Sequence, residues 1–225
     1  ENVDRLLKAP SKQRGRDFAI MLTAFNNLGY SVEWRVINAA DYGRSQRRRR
    51  VFFFVFRNDT KYAKSLDNKY ENEDIVFEEH KYDDYLFQTG LFATQFPIKQ
   101  APVKNRQVFY ELEDDIVAVS DNFTGTVWNT GVMRHGKYYS IETAANFDGN
   151  PITLGEILQD ETEVPDKYFL TDKAKLEKFQ YLRGPKKLER TSADGHTYIY
   201  SEGGMSPYDD LNLPGRTMLT SEGTV

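Results

Sequence analysis

A continuous apolar segment, Val51–Phe56, constrains the fold of this chain more than any other feature of its sequence. All of its residues are β-branched or aromatic, and it lacks the polar alternation of a strand that has one face in water. The pattern predicts a strand that is covered on both faces inside a larger sheet. A strand of this composition is prone to aggregation when it is exposed. We therefore expect the second part of the chain, or self-association, to cover it.

The residues around this strand predict only part of a domain. Arg16–Leu28 carries apolar residues at helical spacing and is followed by Gly29, a residue that commonly ends helices. Ser31–Ile37 alternates apolar and polar residues, which predicts a strand with one buried face, and a turn follows at Asn38–Gly43. One helix and two strands are too little to close a doubly wound sheet. Residues 1–58 are therefore predicted to be the tail of an α/β domain.

From residue 59 to residue 225 the pattern predicts a second domain that is irregular and mainly β, of the α+β class. Short strand-like segments alternate there with Gly, Asn, Asp and Pro. The predicted strands are Tyr85–Phe96, Gln107–Glu111, Ile116–Ser120, Thr126–Trp128, Tyr138–Thr143 and Thr197–Tyr200. Two helices are predicted in the same region, at Leu154–Gln159 and Asp172–Leu182.

Composition narrows the possible chemistry. The 225 residues include 0 cysteines, which excludes a disulfide, a thiolate metal site and a cysteine nucleophile within this chain. The 3 histidines lack metal-ligand spacing with acids, so we expect no metal site. No segment approaches the roughly 20 apolar residues of a membrane helix, and the first residues lack the order of a secretory signal. We therefore expect a cytoplasmic protein without a membrane partner.

Charge is distributed unevenly along the chain. The net charge of -4 argues mildly against a general attraction to nucleic acid. Basic residues nevertheless concentrate before Arg57, whereas acids collect in Asp67–Asp84 and Glu111–Asp115. One face of the protein could therefore contact phosphate while another stays acidic. The adjacent pair Asp209-Asp210 is predicted to be solvated surface, because neighbours in an extended chain point to opposite faces.

Two motifs carry a resemblance to a known family. Glu1-Asn2-Val3 precedes the predicted helix, and Asp41-Tyr42-Gly43-Arg44-Ser45-Gln46-Arg47-Arg48-Arg49-Arg50 precedes the apolar strand. This arrangement resembles the C5-cytosine-specific DNA methyltransferases, in which a Glu-Asn-Val motif is followed by a D-Y-G-x-x-Q-x-R-x-R segment. The resemblance implies that residues 1–58 are the C-terminal part of a Rossmann-like, S-adenosylmethionine-dependent methyltransferase domain. It implies that residues 59–225 are the target-recognition domain.

The resemblance also implies a chemistry. In that family a target cytosine is flipped out of the duplex, a cysteine thiolate adds to ring carbon 6, and carbon 5 takes a methyl group from S-adenosylmethionine. Glu1 would then hydrogen-bond and protonate ring nitrogen 3. Gln46, Arg48 and Arg50 would bind the flipped nucleotide and its neighbouring phosphate, where a guanidinium can hold an oxyanion while keeping its charge.

Each of these assignments has a plainer alternative. Arg47 and Arg49 alternate with the proposed ligands and would point toward solvent or the DNA backbone. Without the resemblance, the whole run Arg47–Arg50 would be interpreted as a solvated basic segment. Thr217, within Leu213–Met218, resembles the threonine that closes recognition regions in many family members and lies close to the flipped base. A Pro-Gly turn that leads into a strand explains the same residues equally well.

Two basic turns are candidate DNA contacts, because Arg and Lys donate to guanine in the major groove. Plain surface turns are the commoner explanation of such sequences. The candidate contacts are Arg134, His135 and Lys137 in the first turn and Lys186, Lys187 and Arg190 in the second.

The family's Gly-rich donor loop and Pro-Cys segment precede its Glu-Asn-Val motif, and its closing motifs follow the recognition region. We therefore expect S-adenosylmethionine to bind in the complete enzyme through residues largely absent from this chain, which alone would not methylate DNA. Three interpretations stay open: part of a restriction-modification or phage methyltransferase, one subunit of a split enzyme, and a silent DNA-binding module. The expected partners are double-stranded DNA and the missing catalytic half. RNA ranks lower because the recognition region is long.

Overall fold

A computed structural model describes residues 1–71, 81–100, 106–206 and 208–218 of the chain. Its strands are β1 (Asn2–Val3), β2 (Tyr30–Asn38), β3 (Gln46–Arg47), β4 (Arg49–Arg57), β5 (Gln107–Glu111), β6 (Thr130–Arg134), β7 (Lys137–Ile141), β8 (Lys186–Thr191), β9 (Thr197–Glu202) and β10 (Gly215–Arg216). Its α-helices are α1 (Arg16–Asn27), α2 (Lys61–Tyr70), α3 (Leu91–Gln95), α4 (Ile116–Asn122), α5 (Leu154–Ile157) and α6 (Lys173–Arg183). Short 3-10 helices occupy Asp4–Lys8, Ala39–Tyr42, Glu161–Glu163 and Asp166–Tyr168, and a π-helix occupies Tyr85–Thr89.

The apolar strand lies inside a six-stranded sheet of order β1-β4-β2-β6-β7-β5, in which neighbouring strands are antiparallel. Successive side chains of β4 contribute to two different hydrophobic clusters. Val51 and Phe53 belong to the cluster that includes α1, whereas Phe54 and Phe56 belong to a second cluster. The prediction of a strand within a larger sheet is confirmed, and apolar side chains pack on both of its faces, although Val51 and Phe56 alone are buried and the four residues between them are half-buried.

The predicted helix and first strand are also confirmed. Helix α1 buries Phe18, Ala19 and Leu22, and Gly29 directly after it has a φ of 77°, which favours glycine. Strand β2 follows at once and brings Trp34 against Phe18, with ring centroids 5.2 Å apart. Burial of this aromatic pair joins α1 to the centre of the sheet.

The other face of β2 differs from the prediction, because Glu33 and Arg35 are buried as well. The Glu33 carboxylate accepts hydrogen bonds from the Tyr85 hydroxyl (3.0 Å) and from two backbone amides of the segment that contains α3 (3.2 Å each). Arg35 donates to the Leu86 carbonyl at 2.6 Å. The predicted strand Tyr85–Phe96 is therefore wrong: this segment is helical and packs on β2 through these polar contacts.

The remaining predicted elements had mixed outcomes. Ile116–Ser120 is helical, because Asp115 caps α4 by accepting from the Val117 amide at 2.9 Å. Thr126–Trp128 forms no strand. Strands β5, β7 and β9 and helices α5 and α6 lie where the sequence predicted them, with boundaries shifted by a few residues.

Two compact units make up the chain. Unit 1 comprises residues 1–43 and 48–150, and unit 2 comprises residues 44–47 and 151–225. The sheet of unit 1 continues past residue 58 through β6, β7 and β5, so the functional division at residues 58 and 59 stays a prediction. Within the described ranges, no helix has the length and apolarity needed to cross a membrane.

Candidate active site and nucleic-acid interface

A short ladder in unit 1 brings the Glu-Asn-Val motif onto the basic segment. Strand β1 pairs with the start of β4, with Asn2 opposite Val51 and Val3 opposite Arg50. This register places the Glu1 carboxylate 3.7 Å from the Arg48 guanidinium. Both side chains are a little under half exposed, so their ion pair contributes at most about 1 kcal/mol to stability. Both groups are therefore accessible to a ligand.

The arginines of the basic run have different partners. Arg49 forms an ion pair with Asp4 at 2.9 Å, whereas Arg50 donates to the carbonyl of Arg49 at 2.7 Å. The carbonyl of Arg48 accepts from the Ala39 amide at 3.1 Å, which fixes the backbone between the turn and β4. Arg48 and Arg49 therefore reach different acids, as expected for neighbours in an extended segment.

A tight turn positions this segment. Gly43 ends the 3-10 helix Ala39–Tyr42 with a φ of 80°, and a Cβ atom there would lie 2.6 Å from the Phe147 ring. The backbone angle therefore favours glycine, and a larger residue would also have to displace the exposed Phe147 ring. The Tyr42 hydroxyl donates to the Pro97 carbonyl at 3.1 Å, and burial raises the pKa of Tyr42. The turn is thus anchored to unit 1 just before the Gln-x-Arg residues begin.

In unit 2, Thr217 lies on the Gln-x-Arg segment. Strand β10 pairs in parallel with β3, with Gly215 opposite Gln46 and Arg216 opposite Arg47. The Thr217 hydroxyl donates to the Arg47 carbonyl at 3.0 Å. Two segments that the resemblance placed near one target nucleotide are thus adjacent in space, although far apart in sequence. Their roles stay predictions.

The first basic turn differs from an exposed DNA-reading loop. The Arg134 side chain is fully buried and forms an ion pair with Asp67, so Arg134 is corrected from a candidate DNA contact to a structural residue. His135 lies 2.8 Å from the same carboxylate, at a φ of 48°. Lys137 lies 3.9 Å from Glu111. His135 and Lys137 stay candidate contacts because their side chains are exposed.

The second basic turn forms a β-hairpin. Lys186 is held at its base, where its ammonium donates to Glu202 at 3.0 Å and to the Leu182 carbonyl at 2.8 Å. That hydrogen bond lowers the pKa of Glu202. Lys186 is therefore corrected to a structural residue, whereas Lys187 is exposed. Arg190 is also exposed, and its guanidinium lies 3.9 Å from the centroid of the Tyr200 ring.

The family model for C-5 cytosine-specific DNA methylases matches residues 1–200. The chain belongs to this family. It is 50% identical over 225 residues to the type II methyltransferase M.Sau3AI of Staphylococcus aureus, matching 100% of this chain and 51% of that protein. It is 33% identical over 110 residues to M.NgoBI of Neisseria gonorrhoeae, matching 45% of this chain and 32% of that methyltransferase. No solved structure matches the chain.

The resemblance to C5-cytosine methylases is thus confirmed for the family. A shorter match, 39% identical over 56 residues, joins 23% of the chain to 13% of the type II methyltransferase M.NlaIV of Neisseria lactamica. The methylase chain spans about half the length of M.Sau3AI, since it covers 51% of it. The activity of a whole enzyme is therefore a proposal for this chain.

Two acidic residues of this methylase form ion pairs with arginines that the sequence did not reveal. Asp209 was expected to be solvated, but it lies 3.2 Å from Arg216 and 3.4 Å from the buried Arg183. It therefore supports the segment that carries Thr217. The sequence analysis placed Asp67 only at the start of an acidic segment, and nothing in the sequence indicates its pairing with Arg134. No group of three or more potential metal ligands occurs in the part of the chain that the structure describes.

Proposed function

We propose that this chain is the part of a DNA (cytosine-5)-methyltransferase that supplies the acid for the target cytosine, the arginines that bind the target nucleotide, and sequence recognition. The complete enzyme would flip the cytosine and methylate carbon 5, in a restriction-modification or phage system. The observation that carries this proposal is the β1–β4 ladder, which brings Glu1 within 3.7 Å of Arg48. Membership of the family is the basis for the proposed reaction, and the ladder explains why Glu1 and Arg48 lie close together.

Glu1 is the proposed general acid. An exposed carboxyl group beside a flipped cytosine can hydrogen-bond to ring nitrogen 3 and protonate it, which withdraws charge from the ring as carbon 6 is attacked. Arg48 lies close enough to hold the pyrimidine carbonyl oxygen at the same time. In the complete enzyme, we expect Glu1→Gln to lower kcat by about 10²–10⁴-fold while duplex affinity changes little. A kcat that stays within tenfold of the parent would contradict this role.

Gln46, Arg50 and Thr217 are proposed to bind the target nucleotide. Thr217 is fixed to the backbone of the Gln-x-Arg segment by its hydroxyl, and Gln46 lies on the strand that pairs with β10. A side chain that is already held loses little entropy when a nucleotide arrives.

The β8–β9 hairpin is proposed to read the DNA sequence. Residues 187–191 and 193–199 are exposed, so both faces of this two-stranded ribbon are accessible. A ribbon of this kind fits the major groove of B-form DNA. Lys187 and Arg190 are its proposed contacts, and the stacking of Arg190 on Tyr200 holds one guanidinium in place before binding.

The nucleophile and the methyl-donor site are proposed to lie in a catalytic half that this chain lacks. The sequence has 0 cysteines and no G-x-G-x-x-G segment, so its residues do not fit the donor. S-adenosylmethionine would supply the methyl group when bound to that other half. The other half is either part of the same polypeptide or a partner subunit.

An open sheet edge supports the proposal of another half. Within the described ranges, β1 pairs with β4 only at Arg50 and Val51, and no other strand covers that edge. The next residues of β4, Phe52–Phe56, are aromatic or β-branched. An open edge of this kind invites another strand.

DNA binding is the test. The chain is titrated against a mixed-sequence duplex at several salt concentrations, beside Arg48→Ala/Arg50→Ala and a control, Arg57→Ala/Lys61→Ala, that removes two charges elsewhere in unit 1. We expect the first variant to flatten the salt dependence of log Kobs by about 0.9 for each phosphate that is no longer neutralised. The control should bind like the parent. Equal binding by all three proteins would contradict the role of the arginines.

A second candidate function is a DNA-binding module without activity, which the absence of cysteine favours. The two candidates differ in what a companion protein can restore. A companion that carries a Pro-Cys segment should restore methyl transfer if the chain is one subunit of a split enzyme. Transfer of a labelled methyl group by the purified chain alone would contradict the assignment of the nucleophile to another half.

A further inference from the structure

A small cleft in unit 1 opens beside the ion pair between Arg49 and Asp4. Lys8, Arg14, Arg49 and Trp128 line it together with buried apolar side chains, and these four residues define what we call the Trp128 cleft. The cleft begins directly after the Glu-Asn-Val motif, because Asp4 and Lys8 are the ends of the 3-10 helix that follows β1. It uses Arg49, which the proposed target-nucleotide site does not.

Trp128 is held rigidly at the cleft. Its amide donates to the Ser140 hydroxyl at 2.9 Å, and its carbonyl accepts from the buried Trp34 indole at 3.0 Å. Two guanidinium groups lie against its ring, with Arg14 at 6.0 Å and Arg106 at 5.8 Å from the centroid. Cation–π contacts of this kind orient the guanidinium groups and leave their N–H donors available.

The charge at the cleft is positive. The three basic residues of the Trp128 cleft and the neighbouring Arg106 provide four cations. Only two carboxylates, those of Asp4 and Glu142, lie beside them. Arg49 neutralises Asp4, and Arg106 neutralises Glu142. Lys8 and Arg14 are exposed and form no ion pair with any residue that the structure describes. The cleft therefore has two cations available for an anion.

The size of the cleft selects the kind of anion. It encloses about 40 Å³, which is room for about one or two water-sized groups. The nonbridging oxygens of a phosphate fit this space, whereas a nucleobase does not. The indole N–H of Trp128 is buried, so the donors available to an anion are those of Lys8 and Arg14.

We propose that the Trp128 cleft binds one phosphodiester group of the DNA backbone, through Lys8 and Arg14. This inference rests on the proposed function, since it requires that the chain binds DNA. Arg49 and Asp4 would fix the wall of the cleft, and Trp128 would hold the Arg14 guanidinium. The contact is independent of sequence, because a phosphate carries no information about the base. It would position the duplex relative to Glu1, which lies three residues before Asp4.

The test compares two double variants with matched removal of charge. Lys8→Ala/Arg14→Ala removes the cleft cations, and Lys61→Ala/Lys64→Ala removes two exposed lysines of α2. Removing one phosphate contact should reduce the salt slope by about 0.9 and weaken duplex binding about eightfold at 0.1 M salt. The α2 variant should match the parent. Urea unfolding of the 225-residue chain should be unchanged in both, because all four side chains are exposed.

Fluorescence provides a second readout, because Trp34 is buried whereas Trp128 lines the cleft. The duplex should change the emission of the parent and not that of Trp128→Phe. Equal salt slopes for the parent and Lys8→Ala/Arg14→Ala would overturn the proposal while leaving DNA binding intact. A parent chain that binds no duplex would overturn the proposed function as well. Inorganic phosphate that changes the emission more than the duplex, at equal ionic strength, would assign the cleft to a free anion instead.

Discussion

Replacing Asp67 with asparagine tests whether unit 1 depends on a neutralised buried guanidinium. The Arg134 side chain is fully buried, and its Nη2 donates to Asp67 and, at 3.2 Å, to the Ala63 carbonyl. Its Nε and Nη1 atoms have no hydrogen-bond partner among the described residues. Asp67→Asn keeps the shape of the side chain but leaves the guanidinium without its counter-ion.

The expected loss of stability follows from burial. Removing one partner of a buried ion pair costs about 3–5 kcal/mol. The Asp67 side chain is 32% exposed, so water screens part of the missing interaction, and we expect a loss of about 2–3 kcal/mol. For a chain of this size, that loss corresponds to a decrease in Tm of about 4–12 °C.

Urea unfolding followed by tryptophan fluorescence measures this loss. Both tryptophans, Trp34 and Trp128, lie in unit 1, so the signal reports on that unit alone. Arg134→Met replaces the charge with an apolar side chain of similar length and should stay within about 1 kcal/mol of the parent. Combining it with Asp67→Asn should recover most of the loss. The reasoning is refuted if Asp67→Asn is as stable as the parent, or if the double variant is no better than the single one.

The same pair predicts a dependence on pH. Burial raises the pKa of Asp67, but the hydrogen bond from His135 and the charge of Arg134 outweigh it and bring the pKa below the usual 3.8. The unfolded state therefore binds the proton more readily, and this contribution to stability is complete only above pH 3.8. It is lost as the pH falls through the lower pKa of the folded state. Asp67→Asn should lack this part of the acid dependence.

Two further substitutions test the turn and the hairpin. Gly43 and Gly29 both have positive φ, so alanine at either position costs about 1 kcal/mol. Gly43→Ala should destabilise unit 1 by about 0.5–1.5 kcal/mol more than Gly29→Ala, because only the Gly43 Cβ would push the exposed Phe147 ring off its rotamer. Urea unfolding measures the stability of both variants, and equal losses of stability would contradict the contact between Gly43→Ala and Phe147. Arg190→Ala should weaken duplex binding by about 1–3 kcal/mol. Its free energy of unfolding should not change, because the guanidinium only stacks on Tyr200. Unchanged affinity in an anisotropy titration would remove the hairpin from the proposed interface.

Elements with strong local patterns could be predicted from the sequence. Helix α1 and strands β2 and β4 have apolar residues at one clear period, and the structure confirms them. Helix α2 was missed although its signals are present. Thr60 caps it by accepting from the Ala63 amide at 3.2 Å, and Ala63, Leu66 and Tyr70 lie at helical spacing on its buried side.

Elements that depend on distant partners could not be predicted in this way. The aromatic residues of Tyr85–Phe96 favour a strand locally, but the hydrogen bonds to Glu33 and Arg35 exist only in the helical form. Those partners lie far away in sequence, on β2. The same reason explains why Arg134 was predicted as a candidate DNA contact, since its partner in the buried ion pair, Asp67, is far away in sequence.

Proximity within the candidate site could be predicted where a motif fixes both residue type and spacing, although the roles of the residues stay predictions. The resemblance placed Glu1 and Arg48 at one nucleotide, and the ladder brings them together. The basic turns had no such constraint. Charge alone could not separate Lys186, which is bound at the base of the hairpin, from the exposed Lys187.

The register of the β1–β4 ladder brings neighbouring arginines to different acids. Arg48 lies 3.7 Å from Glu1, whereas Arg49 binds Asp4 at 2.9 Å beside the Trp128 cleft. A slip of one residue between β1 and β4 would change these partners. Leu7, in the 3-10 helix that follows β1, is buried in the same cluster as Val51. Burial of a leucine side chain is worth about 1.5–3 kcal/mol, whereas each exposed ion pair is worth at most about 1 kcal/mol. Burial of Leu7 therefore contributes more to the placement of β1 than either ion pair does, and the register keeps the proposed catalytic acid and the proposed phosphate cleft apart.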